Sequence, residues 1–487
     1  MVRSLSKKAL SGKIFSVISQ IAGNLKVEAY VVGGFVRDRL LNLSLKRDID
    51  FVIVGDGPAF AQAVAQALGA HKVSIYQNFG TASIRHRGFL YEFVGARSES
   101  YRGNSRKPQV AAADLPADLA RRDFTINAMA VSLNRDSFGR LIDPFNGQSD
   151  LQARVIRTPL DPKQTFYDDP LRILRAIRFA TVLDFNIEEQ TFAALASEAH
   201  RLKIISQERI TDELNKILLS AKPSVGFYLM KETGILDVIL PEIAALSGVE
   251  QVGKHSHKDV FDHTMKVLDK VAAASPKLSL RYAALFHDVA KPATKAFDPA
   301  AGWTFHGHDE LGRRMFKKIG ERLRLPKDLI ETVQKLIKLH LRPIHLAEEG
   351  VTDSAIRRLL FLAGDDIDDL MTLCRADITS ANAERVKRHL ANFDLVERRL
   401  VEVEEKDRLR NFQPPVRGDE IMQVLGLQPG PLVGKIKNAI EEAILNGVIP
   451  NEHDAAFDYM MQIKDDILSS ASASLKPAKA AADSTER

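Results

Sequence analysis

Asp48 and Asp50 stand one residue apart at the head of the apolar run DIDFVIVG, and Gly33-Gly34 closes the apolar run before it, VEAYVVGG. Successive side chains of a strand alternate faces, so the two carboxylates point to one side. Held together and buried without a partner they would cost several kcal/mol. A divalent cation removes that cost. Magnesium takes carboxylate oxygens and is commonly shared between protein and substrate phosphates, and such ions clamp the attacking and leaving oxygens of a phosphoryl or nucleotidyl transfer. The spacing alone equally describes two exposed acids at a strand end. The glycines narrow the choice. A Gly-Gly junction between a strand and the helix FVRDRLL bares backbone N–H groups at a helix N-terminus, an anion site, with Arg37 in the first turn. A simple packing turn is the other reading of the glycines. No G-x-x-x-x-G-K-[ST] signature occurs, so a P-loop is not the phosphate cradle.

Two more groups of residues could do chemistry. In YDDPLRILRAIRF, Asp169 precedes Pro170, and Arg172, Arg175 and Arg178 follow at three-residue steps. Steps of three on a 3.6-residue helix drift by about 60° each, so these arginines spiral. They could wrap one ligand or form a basic surface, and Asp169 alone reads as a helix N-cap. Farther on, eight of the thirteen histidines fall between 255 and 345, a density that marks a separate module. His287-Asp288 lies there at the end of an apolar helix, before a Lys291-Pro292 break.

Taken together, GGFVRD, RDIDF and RRDFTINAM (the last within 119–131) closely resemble the class II tRNA nucleotidyltransferases. That family belongs to the polymerase-beta-like superfamily and includes CCA-adding enzymes and bacterial poly(A) polymerases. The resemblance implies that Asp48 and Asp50 bind magnesium, with Glu92 of YEFVGARSESY as the third catalytic acid. It implies that Gly33, Gly34, Arg37 and Arg122 contact the nucleotide. It also makes Asp169 and Arg172 an amino-acid template for the incoming base, with Arg175 and Arg178 against the nucleotide. A carboxylate accepts from the exocyclic amino group of C or A and repels the carbonyl oxygen that U or G presents there. The Ser/Gly/Pro-rich segment 98–115 resembles the family's flexible loop, whose presence favours full CCA addition. His263, His287, Asp288 and Asp377 resemble the H…HD…D metal set of the HD phosphohydrolases, and His308 and His340 match the histidines of members that hold a second ion. Imidazole plus carboxylate suits a divalent transition metal.

These residues must be positioned by the elements around them. Strand and helix signals interleave over the first 150 residues: short Val/Ile strands, a hairpin turning near Arg87-Gly88, and an Ala-rich helix stopped by Gly69. After that, helical spacing dominates. The expected architecture is an α/β polymerase-beta-like nucleotidyltransferase domain with a mixed sheet, then an all-α body, then an all-α HD domain. Expected divisions are an N-terminal helical extension at 1–24, the catalytic domain at 25–150, a neck that templates bases and binds RNA at 151–250, the HD domain at 251–400, a helical segment at 401–467 and a disordered tail at 468–487. The chain has 487 residues, net charge +5 and a single cysteine, Cys374. That length implies several domains. Mild basicity permits a polyanionic partner, and one cysteine excludes an internal disulfide and fits a reducing compartment. With no apolar run of membrane-spanning length and no secretory signal, the expected location is cytoplasmic, away from membranes.

The expected activity is CCA addition to tRNA from CTP and ATP with Mg2+, the helical body gripping the acceptor arm by shape and phosphates, with no role for DNA. The alternatives are a poly(A) polymerase or a partial enzyme adding only CC or A, an HD phosphohydrolase acting on phosphomonoesters or cyclic phosphodiesters, and an RNA-binding scaffold.

Overall fold

The computed structural model describes residues 4–5, 9–44, 47–70, 72–77, 80–100, 109–253, 256–300, 302–349, 352–379, 382–407, 409 and 412–473. The chain divides into two compact units, residues 1–247 with 322–324, and residues 248–321 with 325–487.

The first unit is built on a mixed sheet. Its helices begin with α1 (Lys13–Leu25), α2 (Gly34–Leu40) and α3 (Gly57–Leu68). The strands are β1 (Glu28–Val32), β2 (Asp48–Val54), β3 (Val73–Tyr76), β4 (Thr81–His86), β5 (Phe89–Gly95), β6 (Arg97–Ser100), β7 (Gln109–Ala112), β8 (Ala130–Ser132) and β9 (Leu141–Ile142). Seven of them form one sheet in the order β3-β4-β5-β2-β1-β8-β9. Only β2 and β5 pair in parallel; the other neighbours are antiparallel. Both central strands read as continuous apolar runs because both faces are covered. Ile49, Phe51 and Ile53 face one layer, where Phe51 stacks on Phe93 at 5.1 Å and meets Phe15 at 6.1 Å. Burying each such side chain contributes about 1.5–3 kcal/mol. Val52 and Val32 face the other layer and pack with Tyr30, Leu115 and Leu119. Asp48 and Asp50 share that face at the strand's open end, as alternation requires.

The local signals behave as expected. Arg87 and Gly88 both take positive φ, 50° and 79°, in the β4–β5 turn. Gly69 ends α3 at φ 66°. One expectation is refined: within 98–115, β6 and β7 pair as a ribbon, and residues 101–108 lie outside the described ones. After α4 (Leu115–Ala120) and α5 (Gly147–Ala153) come α6 (Pro162–Asp168), α7 (Leu171–Leu183), α8 (Glu189–Glu198) and α9 (Gln207–Leu218). Asp161 caps α6 by accepting from Gln164 N–H at 2.8 Å.

The second unit is almost entirely helical. Helix Leu278–Phe286 is buried from Leu280 onward, and the helices Val260–Ala274, Lys327–Leu339 and Ile367–Asp377 pack in the same unit. The helix His453–Ala473 runs beyond 467, into the stretch expected to be disordered, and the remaining tail lies outside the described residues. None of the helices among the described residues is long and apolar enough to cross a membrane.

The sheet constrains small residues where loops converge. A Cβ on Gly57 would lie 2.6 Å from Gly95 N, a contact only backbone movement relieves. Gly57→Ala should therefore destabilise the protein by about 1–3 kcal/mol, read as a lower unfolding midpoint. An unchanged midpoint would show that these loops give way freely.

Candidate active site

The parallel register places Asp50 opposite Glu92, so the expected third acid comes from β5 onto the face that carries Asp48 and Asp50. Burial pushes the Asp50 carboxyl up, Arg122 opposes it, and Asp48 adds to the rise. Burial pushes Glu92 up as well, with Asp50 and Asp48 adding repulsion. Carboxylates gathered on one face suit a divalent cation, and Asp48, Asp50 and Glu92 are the residues that would hold it. Gly33 closes the other side of the cradle. It takes φ 69°, ψ −132°, a region nearly closed to other residues, and a Cβ there would lie 3.2 Å from Arg122 Nη1 and 3.7 Å from Asp50 Oδ2.

Arg122 is held from below. Asp118, fully buried, accepts from Arg122 Nη2 at 3.1 Å and from Arg121 Nη2 at 2.6 Å. The other basic residues are used differently from what their spacing suggested. Arg37 is 3% exposed; its Nε donates to Asp38 at 2.8 Å and its Nη1 to Asn127 at 2.7 Å. Arg175 Nε donates to Asp123 at 2.8 Å, and Arg178 lies 2.6 Å from Glu213. All three guanidinium groups also lie against the ring of Phe179, at 5.0, 5.5 and 4.2 Å. The arginines of α7 therefore do not make a basic outer surface. Guanidinium groups stay charged in a protein, and Asp123 and Glu213 accept these two. Asp169 lies just before α7 and Arg172 in its first turn. Asp169 Oδ1 accepts from Leu171 N–H at 3.2 Å, Arg172 Nη2 donates to the Arg121 carbonyl at 2.6 Å, and Arg209 stands 3.7 Å from Asp169 Oδ2.

A second cluster lies in the helical unit. His263 Nε2 is 2.8 Å from Asp377 Oδ1, and His287 Nε2 is 3.2 Å from Asp288 Oδ2 and 3.4 Å from His263 Nε2. His308 Nε2 lies 3.4 Å from Asp288 Oδ1. Two groups of potential ligand atoms result, His263/His287/Asp288 and Asp288/His308/His340, sharing Asp288. His287, His308 and His340 point Nδ1 at backbone carbonyls, at 2.9, 2.7 and 2.6 Å, which leaves Nε2 facing inward. The Nε2 atoms of His308 and His340 are buried and make no hydrogen bond. Burial drives His340 down to about 4 and lowers His308, so both are neutral imidazoles at neutral pH, the form that ligates a metal. Burial also works against a charge on His287, yet Asp288 and Asp377 outweigh it and raise that residue to about 10. A cation is what these carboxylates call for, and the donors fit one or two divalent transition metals.

Comparison with known proteins agrees with this division. A family model described as the poly(A) polymerase head domain matches residues 29–157, one for the probable RNA- and SrmB-binding site of polymerase A matches 184–246, and the HD domain matches 260–382. The chain is 34% identical to the A-adding tRNA nucleotidyltransferase of Deinococcus radiodurans, over 88% of this chain and 94% of that protein. It belongs to the tRNA nucleotidyltransferase and poly(A) polymerase family. It is 32% identical to the CC-adding tRNA nucleotidyltransferase of Thermus thermophilus, over 88% of this chain and 92% of that one. A solved apo structure of a CCA-adding enzyme superposes with TM-score 0.63 at 25% identity, covering 97% of each chain. The chain is thus a nucleotidyltransferase, and its fold implies a divalent metal.

Several residues of the site were not singled out from the sequence. Asp118 could have been, since it stands three and four positions before Arg121 and Arg122 on a helix. Phe179, Glu213 and Arg209 carry no such local signal.

Two outcomes test this geometry. Burial raises the Asp123 carboxyl, but Arg175 and a bond from Asn127 outweigh it and hold it down at about 2. A depressed carboxylate stabilises the fold above its unfolded value and loses that contribution as pH falls toward 2, here about 2 kcal/mol. Asp123→Asn should therefore lower stability by about that much at pH 7, with the gap to wild type closing between pH 4 and 2 in denaturant titrations. Separately, manganese added to chelator-stripped Asp48→Ala/Asp50→Ala protein at about a hundred times its Kd should stabilise it by about 2.7 kcal/mol. His340→Leu should abolish part of that gain. A melting curve indifferent to metal would reject the histidine cluster as a metal site.

Proposed function

We propose that this protein is a CCA-adding tRNA nucleotidyltransferase that transfers C, C and A from CTP and ATP to the 3′ end of tRNA with Mg2+ and no nucleic-acid template. The reading rests chiefly on the convergence of Asp48, Asp50 and Glu92 opposite Arg122. Asp48, Asp50 and Glu92 would hold magnesium, which when bound lowers the pKa of the tRNA 3′-hydroxyl and offsets charge developing at the α-phosphate. Gly33 keeps the cradle between Asp50 and Arg122 free of side-chain atoms. Arg122, oriented by Asp118, faces the departing pyrophosphate. Gly34 and Arg37 shape the turn beneath the triphosphate. Asp169 accepts from the amino group of C or A, Arg172 donates to a ring acceptor, and U and G are rejected by the repulsion between their carbonyl oxygens and Asp169. Arg175 and Arg178 hold the template helix against Asp123 and Glu213.

The relatives differ in how much of the CCA end they add, so identity alone leaves full addition open. The segment 98–115 favours it, because partial enzymes that stop after two cytidines tend to lack part of that loop. The finer division into a catalytic domain at 25–150, a neck at 151–250 and an HD domain at 251–400 is supported by the ranges of the family matches. The tRNA acceptor arm is the expected partner of the neck, and the cytoplasm the expected place of action.

A tRNA transcript lacking CCA, given CTP alone, ATP alone and then both with magnesium, tests the proposal. Two C additions followed by one A are expected, with Asp48→Ala/Asp50→Ala slower by more than about a hundredfold. Only C, only A or a long A tail would identify a specialised relative. No incorporation by folded protein would reject nucleotidyl transfer.

A further inference from the structure

A short hairpin in the second unit leaves aromatic rings in solvent. Its strands, Ala296–Asp298 and Gly302–Thr304, pair antiparallel with Phe297 opposite Trp303. The two rings meet edge-on at 5.2 Å, yet Phe297 is 64% exposed and Trp303 38%. Rings left in water forgo the burial that holds a core together. Cations accompany them. Lys295 Nζ stands 4.5 Å from the centre of the Trp303 ring, and Lys291 Nζ 5.6 Å from that of Phe305. Asp298 pairs with Gly302 in the register, so alternation turns it off the face that Phe297 and Trp303 share, and its carboxylate accepts from Ala300 N–H at 2.7 Å.

The chain then enters the helix His308–Arg322. Arg314, Lys317 and Lys318 are exposed there at i, i+3 and i+4, between Glu310 and Glu321. Lys317 and Lys318 make no ion pair among the described residues. Free rings beside unpaired cations match the two halves of a single nucleic-acid strand, whose bases stack on aromatic faces and whose phosphates take lysines. A duplex keeps its bases stacked on one another and has none to offer. A purely apolar partner would leave the lysines without counter-charge.

We propose that the face of Phe297 and Trp303 is a stacking platform for unpaired bases of RNA, bound without regard to sequence, with Lys295, Lys317 and Lys318 answering the phosphates. These residues belong neither to the nucleotidyl-transfer site nor to the histidine cluster. The choice of RNA over DNA rests on the function proposed above; the stacking does not.

Trp303 is the chain's only tryptophan, so its fluorescence reports on this face alone. Full-length protein in chelator, without nucleotides, is titrated with dodecauridylate, dodecaadenylate and a blunt RNA duplex of the same length. Both single strands should change the Trp303 emission saturably and with affinities within severalfold of each other, and the duplex should not. Phe297→Ala should weaken both by about tenfold, with an unchanged melting midpoint because its ring is exposed. Lys317→Gln/Lys318→Gln should reduce the slope of log affinity against log salt by about 1.4, the share of two phosphate contacts on a single strand. Asp48→Ala/Asp50→Ala protein should respond as wild type does, so the result stands apart from success or failure of nucleotide incorporation. Emission indifferent to single strands, an equal response to duplex, or affinity untouched by Phe297→Ala overturns the platform. An unchanged salt slope overturns the part given to the two lysines.

Discussion

Uncompensated negative charge at the head of β2 is the constraint on which the first unit depends. Asp48 and Asp50 share a face because strands alternate, and the parallel pairing of β2 with β5 adds Glu92 beside them. Burial raises Asp50 and Glu92, and mutual repulsion adds to it. An interior of packed phenylalanines has no means of neutralising three acids. The chain places them at the open end of the sheet, where a cation and phosphates can enter, and sets Arg122 across from them. Gly33 belongs to the same solution, since any side chain there would stand between Arg122 and Asp50.

The surrounding arginines follow a related logic. Arg37, Arg175 and Arg178 converge on the ring of Phe179, which would be unfavourable for like charges left alone. Each is paired with a separate carboxylate, Asp38, Asp123 or Glu213. The arrangement ties α2, the RRD segment and α7 together, with Asp169 and Arg172 at the head of α7. The histidine cluster in the second unit repeats the principle with different donors. Nδ1 atoms are fixed by backbone carbonyls, and Nε2 atoms face a place where a positive charge is needed.

Sequence by itself determined much of this protein. Period-two alternation put Asp48 and Asp50 on one face, Arg87-Gly88 marked a hairpin turn, Gly69 a helix stop, and the histidine density a separate helical module. These features are local, and local sterics and hydrogen bonding decide them. Tertiary structure decided the rest. That Glu92 faces Asp50 depends on β2–β5 register, a pairing across forty residues of chain that no local pattern encodes. That Arg175 and Arg178 turn inward to Asp123 and Glu213 depends on α7 packing beside the RRD segment and α9, because a spiral of arginines looks alike whether it meets solvent or buried acids. Asp118 under Arg122, Phe179 among three guanidinium groups and the sharing of Asp288 between two ligand groups likewise arise only once distant segments are brought together. Spacing names the groups that could carry charge, and only packing determines which of them must find a partner inside the protein and which remain to meet a ligand.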